Sequence, residues 1–154
     1  MIQKTDLEAE LKDAMRARDR LRLEAIRMVL TTIKLAEVDK KGALDESEIA
    51  NILMKEVKSL HETIEDARRA DREELIEPLE AKISILEGYL PKGLTEDEIR
   101  SLIMAAIEET GATSPKQMGM VMGKLIPQTR GRADGKVVSD LVRKMLSDPN
   151  QPDA

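Results

Sequence analysis

Apolar side chains recur every three or four residues along most of the chain, which is the spacing of α-helices that each bury one face. The first two helices are predicted at about residues 5–17 and 19–38. On the second, Leu23, Ile26 and Leu30 share one side of the helix. No segment has the strict alternation of a β-strand, so we predict an all-α fold.

A third helix is predicted from its start signal and its apolar stripe. Asp45, with Glu48 three residues later, forms a capping box, and the helical pattern fades near Ala70. The apolar positions then step alternately by four and three residues, which is typical of a helix that packs against another helix. This stripe consists of Leu53, Val57, Leu60, Ile64 and Ala67.

A proline interrupts the predicted fourth helix. Asp71 and Glu74 form a second capping signal, and the apolar stripe continues to about Tyr89. Pro78 falls inside this pattern, where a proline removes a backbone hydrogen bond and costs about 3 kcal/mol. We therefore expect either a kink at this position or a helix that effectively begins again there.

The segment Leu-Pro-Lys-Gly-Leu at residues 90–94 predicts a domain boundary, because a proline and a glycine stand between two periodic segments. We expect an N-terminal helical domain at 1–92 and a small three-helix domain at 93–147. Residues 148–154 are predicted to be a disordered tail.

Three shorter helices are expected in the C-terminal domain. Thr95 with Glu98 forms a capping box for the first, and Ser114 is expected to cap the second. The third follows Asp134. Pro127 is expected just beyond the end of the second helix, since a proline disfavours continuation of the helix.

The composition excludes several kinds of chemistry. The 154 residues include no cysteine, which excludes disulfides, thiolate zinc sites and thiol nucleophiles. His61 is the only histidine, and with Glu65 it offers at most two metal ligands. Tyr89 is the only aromatic residue, so the chain cannot build a platform on which bases stack. We predict no catalytic residue, no cofactor and no metal site.

The uncharged stretches are short, which bears on location. None exceeds seven residues, whereas a membrane-spanning helix needs about 20 apolar residues. The first residues also lack the apolar segment of a signal peptide. We expect a cytoplasmic protein that does not contact a membrane.

The formal net charge of −5 is unevenly distributed along the chain. Residues 1–111 carry 18 Lys and Arg against 26 Asp and Glu, whereas residues 112–147 carry seven against two. Such an asymmetry indicates that the two parts meet different partners. The seven cations are Lys116, Lys124, Arg130, Arg132, Lys136, Arg143 and Lys144.

Two glycines, Gly119 and Gly123, lie four residues apart on one face of a predicted helix. Each costs about 1 kcal/mol relative to alanine in a helix interior. A helix tolerates this cost where something approaches its backbone closely. The neighbour is either another helix or a partner such as an RNA backbone.

The sequence Arg-Gly-Arg-Ala-Asp-Gly-Lys at 130–136 comes directly before the last predicted helix. Gly131 and Gly135 permit a tight turn, and three cations lie beside the start of a helix, which favours a phosphate. Asp134 opposes this interpretation in part, because its own carboxylate can cap the helix. A phosphate site and a capped turn with solvated cations both remain open.

Several short motifs together resemble the GatB/YqeY family over nearly the whole chain. They are Gly111-Ala112, Met118-Gly119, Val121-Met122-Gly123, the Gly-Arg-Ala-Asp-Gly-Lys segment at 131–136, Tyr89-Leu90-Pro91, Ala14-Met15, Arg18-Asp19, Leu23 and Arg27. The C-terminal part resembles the tail domain of the B subunit of the glutamine-dependent aminoacyl-tRNA amidotransferase. That enzyme converts misacylated Glu-tRNA(Gln) or Asp-tRNA(Asn) to the amide form.

The resemblance implies a helical module of translation that contacts tRNA without catalysis. It makes the seven cations candidate RNA-contacting residues. Gly131 and Gly135 of the turn complete this candidate set, and Gly119 and Gly123 are the candidate site of close approach. It brings neither the kinase-like cradle of the B subunit nor the serine–lysine amidase machinery of its partner, so carbon–nitrogen ligase chemistry is only associated. The alternative is an adaptor whose N-terminal helices, including the stripe of the third, dock on an aminoacyl-tRNA synthetase or amidotransferase.

Overall fold

The computed structural model describes residues 1–147, and the tail predicted at 148–154 lies outside this range. Within the described residues the chain forms helices and no β-strand, so the all-α prediction is confirmed. The α-helices are α1 Lys4–Ala17, α2 Arg20–Lys40, α3 Glu46–Arg69, α4 Ile76–Glu87, α5 Glu96–Thr110, α6 Met118–Thr129 and α7 Gly135–Ser147. Short 3-10 turns at Glu73–Leu75 and Pro115–Gln117 precede α4 and α6.

The chain divides into two compact units, the first from Met1 to Pro91 and the second beginning at Lys92. The first unit contains α1 to α4, and the second contains α5 to α7. Each unit has its own cluster of buried apolar side chains.

The core of the first unit forms around α3. This helix packs against α2 and α4, and α1 packs along α2. The whole four-three stripe of α3 is buried in this core: Leu53, Val57, Leu60, Ile64 and Ala67. Because these side chains are already covered, the stripe does not provide the docking surface that the adaptor hypothesis required.

The helix starts confirm two of the predicted capping boxes. The backbone N–H of Glu48 donates to the Asp45 carboxylate at 2.8 Å, and the Glu48 carboxylate accepts from the Asp45 N–H at 2.8 Å. Thr95 and Glu98 form the same reciprocal pair at the start of α5. These caps satisfy N–H groups that have no partner inside their helices.

The capping box predicted at Asp71 and Glu74 is wrong. Asp71 adopts a left-handed conformation with φ of 54°, and the chain then makes a 3-10 turn before α4 begins at Ile76. Pro78 therefore lies in the first turn of α4, where a backbone N–H has no intrahelical acceptor in any case. The helix thus begins at Ile76, two residues before Pro78, and not at the proline itself.

The second unit is a bundle in which α6 packs against α5 and α7. The side chain of Ser114 does not cap a helix; the Gln117 side chain instead accepts a hydrogen bond from the Thr113 N–H at 2.7 Å. Pro127 lies inside the last turn of α6, not beyond it. Because Pro127 has no N–H, the carbonyl of Gly123 lacks its usual helical donor. Both residues are exposed, so water is available to that carbonyl.

Candidate nucleic-acid interface

In the turn between α6 and α7, one backbone carbonyl accepts two hydrogen bonds. Thr129 is buried at the end of α6, and its carbonyl accepts hydrogen bonds from the N–H groups of Arg132 at 2.9 Å and Ala133 at 3.0 Å. Gly131 has a φ of 77°, in the left-handed region that favours glycine. Gly131 therefore permits the sharp reversal that leaves Arg130 exposed on the surface.

Arg132 holds this turn against the beginning of the second unit. Its carbonyl accepts a hydrogen bond from the Leu94 N–H at 2.8 Å, and its Nε donates to the Lys92 carbonyl at 3.3 Å. The residue is half-buried, whereas Arg130 is exposed. Arg132 thus has a structural role that the sequence pattern did not predict.

The start of α7 is capped by the chain itself. Asp134 accepts a hydrogen bond on its carboxylate from the Lys136 N–H at 2.9 Å, and its carbonyl accepts from the Val138 N–H at 3.0 Å. The carboxylate thus takes one of the N–H groups that a phosphate would use. An added Cβ on Gly135 would meet nothing within 4 Å, so packing does not require glycine at this position.

The cations of the second unit differ in their partners. Lys124 pairs with Glu109 at 2.9 Å, and Arg143 pairs with Asp140 at 3.4 Å. Both pairs are exposed, and such pairs contribute only about 0–1 kcal/mol, so a phosphate can displace them. Five of the seven predicted cations form no ion pair with any residue in 1–147: Lys116, Arg130, Arg132, Lys136 and Lys144.

Three of the predicted cations share the exposed side of α7. Lys136 and Arg143 are seven residues apart, which places them on one face about 10 Å apart along the axis. Lys144 is adjacent to Arg143 and is also exposed. Asp140 lies between Lys136 and Arg143 on the same face and pairs with Arg143, so the unpaired positive charges of α7 are Lys136 near its start and Lys144 near its end.

The exposed side of α6 carries no side chain at two positions, Gly119 and Gly123. A Cβ built on Gly119 or Gly123 would have no neighbour within 4 Å among the described residues. The interpretation of these glycines as the contact point of a neighbouring helix is therefore wrong. Met120, between them, is 53% exposed.

A carboxylate lies close to the Arg132 end of this surface. Hydrogen bonds from the backbone N–H and the side chain of Thr95 lower the pKa of Glu98, and the charges of Lys92 and Arg132 lower it further. The exposed Lys92 therefore belongs to the same group of charges, although its sequence context predicts only a domain boundary. In the sequence, Lys92 could have been associated with this group only from its position directly after Pro91, where the second unit begins.

No cluster of three or more His, Asp or Glu side chains within residues 1–147 could hold a metal ion. His61 lies exposed on α3. None of the helices in the described part of the chain combines the length and the apolar character that crossing a membrane requires.

A family model described as Yqey-like protein matches residues 4–146. The chain belongs to the YqeY-like protein family. Three fungal proteins are similar to this chain in sequence, and each is named altered inheritance of mitochondria protein 41, mitochondrial. The identities are 34% over 145 residues in Pyrenophora tritici-repentis, 33% over 124 in Kluyveromyces lactis and 32% over 113 in Lachancea thermotolerans.

These matches cover 91%, 77% and 71% of the YqeY-like chain and 78%, 66% and 60% of the respective relatives. The chain thus spans less than two thirds of the length of two of the three. Their names contradict the expectation of a cytoplasmic location, because all three relatives are named as mitochondrial. The absence of cysteine from the sequence does not determine a compartment.

A shorter similarity connects the YqeY-like chain with tRNA amidotransferases. This chain is 37% identical over 68 residues to the E subunit of glutamyl-tRNA(Gln) amidotransferase from Methanocaldococcus jannaschii. The match covers 42% of this chain and 11% of that relative. The family resemblance stated from the motifs is thereby confirmed.

Proposed function

We propose that the second unit holds tRNA without catalysing a reaction on it. The observation that carries this proposal is the set of unpaired cations around the turn and along α7. Arg130 and Lys136 are exposed on either side of the turn and form no ion pair within residues 1–147. Phosphate contacts supply most of the affinity of proteins that bind nucleic acids without reading base sequence.

The two exposed glycines of α6 support contact with an RNA backbone. Gly119 and Gly123 remove side chains from the approach path, and the Gly123 carbonyl lacks its helical donor because residue 127 is proline. A ribose 2′-hydroxyl can donate to such a carbonyl, which a DNA backbone cannot do. The geometry therefore favours RNA over DNA.

The mode of binding is limited by the scarcity of aromatic residues. Tyr89 is the only aromatic residue of the chain and belongs to the first unit. Stacking of single-stranded bases on aromatic rings is therefore not available to the second unit. We infer that recognition depends on phosphate positions and backbone shape.

The similarity to a protein of the amidotransferase supports tRNA as the nucleic acid. That relative acts on glutamyl-tRNA(Gln) according to its name, and the shared region includes 68 residues. In this proposal the YqeY-like chain contributes contact with tRNA, and any amide transfer belongs to another protein.

The proposal is tested by titrating labelled tRNA with the full chain and following fluorescence anisotropy. We expect Arg130→Ala combined with Lys136→Ala to weaken binding by about tenfold at low salt, because the two substitutions remove two phosphate contacts. The matched control removes two exposed cations from the first unit, Lys12→Ala with Lys55→Ala. Equal weakening by both pairs of substitutions, or no binding by the unaltered chain, would overturn the proposal.

A further inference from the structure

The exposed, unpaired cations of the second unit lie at the two ends of the hairpin that α6 and α7 form. Arg130 and Lys136 lie at the turn that joins the two helices, and Lys144 lies in the last turn of α7. Because α6 and α7 are joined by a short turn and pack against each other, the start of α6 lies toward the end of α7. Lys116 belongs to the 3-10 turn before α6, and this turn also packs against α7.

The two ends are separated by a length that follows from helix geometry. Lys136 and Lys144 are eight residues apart on α7, which is about 12 Å along the axis. Between them, Asp140 and Arg143 pair with each other at 3.4 Å and leave no net charge. The unpaired positive charge of the hairpin is therefore concentrated at its two ends and not along its middle.

The outward side of α6 carries no charge between these ends. Val121 and Leu125 are fully buried, and the residues on the opposite side of the helix are Gly119, Gly123 and Pro127. All three are exposed. A polyanion that contacts the cations at both ends thus meets an accessible helix backbone in the middle.

The minor groove of double-helical RNA has the matching order of features. It is wide and shallow, it has a row of phosphates on each side, and its floor displays ribose 2′-hydroxyls. The minor groove of B-DNA is only about 6 Å wide, and its major groove, although about 12 Å wide, is about 8.5 Å deep. A helix side with glycines can reach the floor of a shallow groove, whereas it cannot reach the floor of a deep one.

We propose, on the basis of the proposed function, that the element of tRNA held by the second unit is a double-helical stem, bound across its minor groove. Arg130 and Lys136 contact phosphates of one strand. Lys116 and Lys144 contact phosphates of the other strand. Gly123 lies over the groove, where its carbonyl accepts a hydrogen bond from a 2′-hydroxyl. Single-stranded loops and ends are poorer ligands, because the second unit has no aromatic ring on which their bases could stack.

Three labelled nucleic acids titrated with the full chain test this inference by fluorescence anisotropy. They are an RNA duplex of about 16 base pairs, a DNA duplex of the same sequence, and a single-stranded RNA with the same number of phosphates and no self-complementarity. We expect the RNA duplex to bind about tenfold more tightly than either of the others. Binding of the single strand or of the DNA duplex as tightly as the RNA duplex would overturn the inference.

Two variants test the parts assigned to the hairpin. Lys116→Ala combined with Lys144→Ala should weaken binding of the RNA duplex about tenfold, because it removes the contacts to one strand. The control is Lys12→Ala with Lys55→Ala in the first unit. Gly123→Ala should weaken the RNA duplex several-fold and leave the DNA duplex unaltered, since DNA has no 2′-hydroxyl. Thermal melts followed by circular dichroism check that each variant is folded.

Failure of this inference can be distinguished from failure of the proposed function. If tRNA binds and the single strand binds as tightly as the RNA duplex, only the assignment to a double-helical stem is wrong. An RNA duplex whose affinity does not change on loss of Lys116 and Lys144 contradicts the same assignment. Absence of tRNA binding by the unaltered chain overturns the proposed function and this inference with it.

Discussion

The backbone N–H of Leu94 donates a hydrogen bond to the carbonyl of Arg132 at 2.8 Å. These two residues lie far apart in the sequence, Leu94 before α5 and Arg132 in the turn between α6 and α7. The Nε of Arg132 adds a second link to the Lys92 carbonyl at 3.3 Å. The turn that carries the candidate RNA-binding cations is therefore held against the beginning of its own unit.

Two substitutions of Arg132 separate its structural role from its charge. Arg132→Lys and Arg132→Ala both remove the Nε hydrogen bond, so each should lower the free energy of unfolding by about 0.5–1.5 kcal/mol. Only Arg132→Ala removes the charge, so we expect it to weaken tRNA binding about fivefold, against less than about twofold for Arg132→Lys. Urea denaturation and anisotropy titration measure the two effects. Equal losses of affinity would show that the charge of Arg132 has no part in binding.

Alanine at Gly123 should affect stability and binding in opposite directions. The position is inside α6 and an added methyl group meets no neighbour, so Gly123→Ala should raise the free energy of unfolding by about 1 kcal/mol. The same methyl group obstructs an RNA backbone, and we expect tRNA affinity to fall several-fold. Gly42→Ala, in a turn of the first unit with equally open space, is the control for binding. Unchanged affinity of Gly123→Ala would remove α6 from the interface.

The single tyrosine connects three segments of the first unit. The Tyr89 hydroxyl donates to Glu10 Oε2 at 3.0 Å and accepts from Arg22 Nε at 3.4 Å, while Arg22 and Glu10 form a salt bridge. Tyr89→Phe removes the hydrogen bonds of the hydroxyl and should lower the free energy of unfolding by about 1 kcal/mol. The loss is no larger because the salt bridge between Arg22 and Glu10 remains. Arg20→Ala, which breaks an exposed pair with Glu24, should cost less than about 0.5 kcal/mol. Similar losses from the two would contradict a structural role for the hydroxyl.

Stability should decline in acid because carboxylates at helix starts are held ionised. Hydrogen bonds from Lys40 and the Asp45 N–H lower the pKa of Glu48, and the Thr95 N–H lowers the pKa of Glu98. A lowered pKa in the folded state adds stability above the ordinary value of 4.5, and this stability is lost as pH falls through the folded pKa. The melting temperature should therefore fall between about pH 5 and about pH 3.

The amide variant of Glu98 checks the origin of this decline. Glu98→Gln keeps an oxygen that accepts the Thr95 N–H but no longer titrates, so the second unit should melt with a flatter dependence on pH. Glu62→Gln is the control, because Glu62 is exposed on α3 in the first unit. A pH profile that Glu98→Gln leaves unaltered would contradict the assignment.

The local order of the fold could be predicted from sequence because each helix carries its own signals. The four-three stripe of α3 and the boxes at Asp45 and Thr95 are set by residues within a few positions of each other. The box at Asp71 was predicted by the same rule and is absent, since the chain turns through a left-handed residue there. A local sequence pattern does not show how the chain packs, and packing decides whether such a pattern forms a capping box or a left-handed turn.

The partners of the candidate site could not be predicted in the same way. The pairing of Lys124 with Glu109, and the bond from Arg132 to the Lys92 carbonyl, depend on how α5, α6 and the turn pack. Sequence spacing identified the cations but not which of them are neutralised. It also left open whether Gly123 faces a helix, which only the packed bundle decides.

The most direct measurement of the central claim is the salt dependence of tRNA binding by the unaltered chain and by the variant with Arg130→Ala and Lys136→Ala. Removal of each phosphate contact should reduce the slope of log affinity against log salt by about one. We predict a slope shallower by about two for this variant and unchanged for Lys12→Ala with Lys55→Ala. Parallel salt dependences for all three proteins would contradict binding of tRNA through this surface.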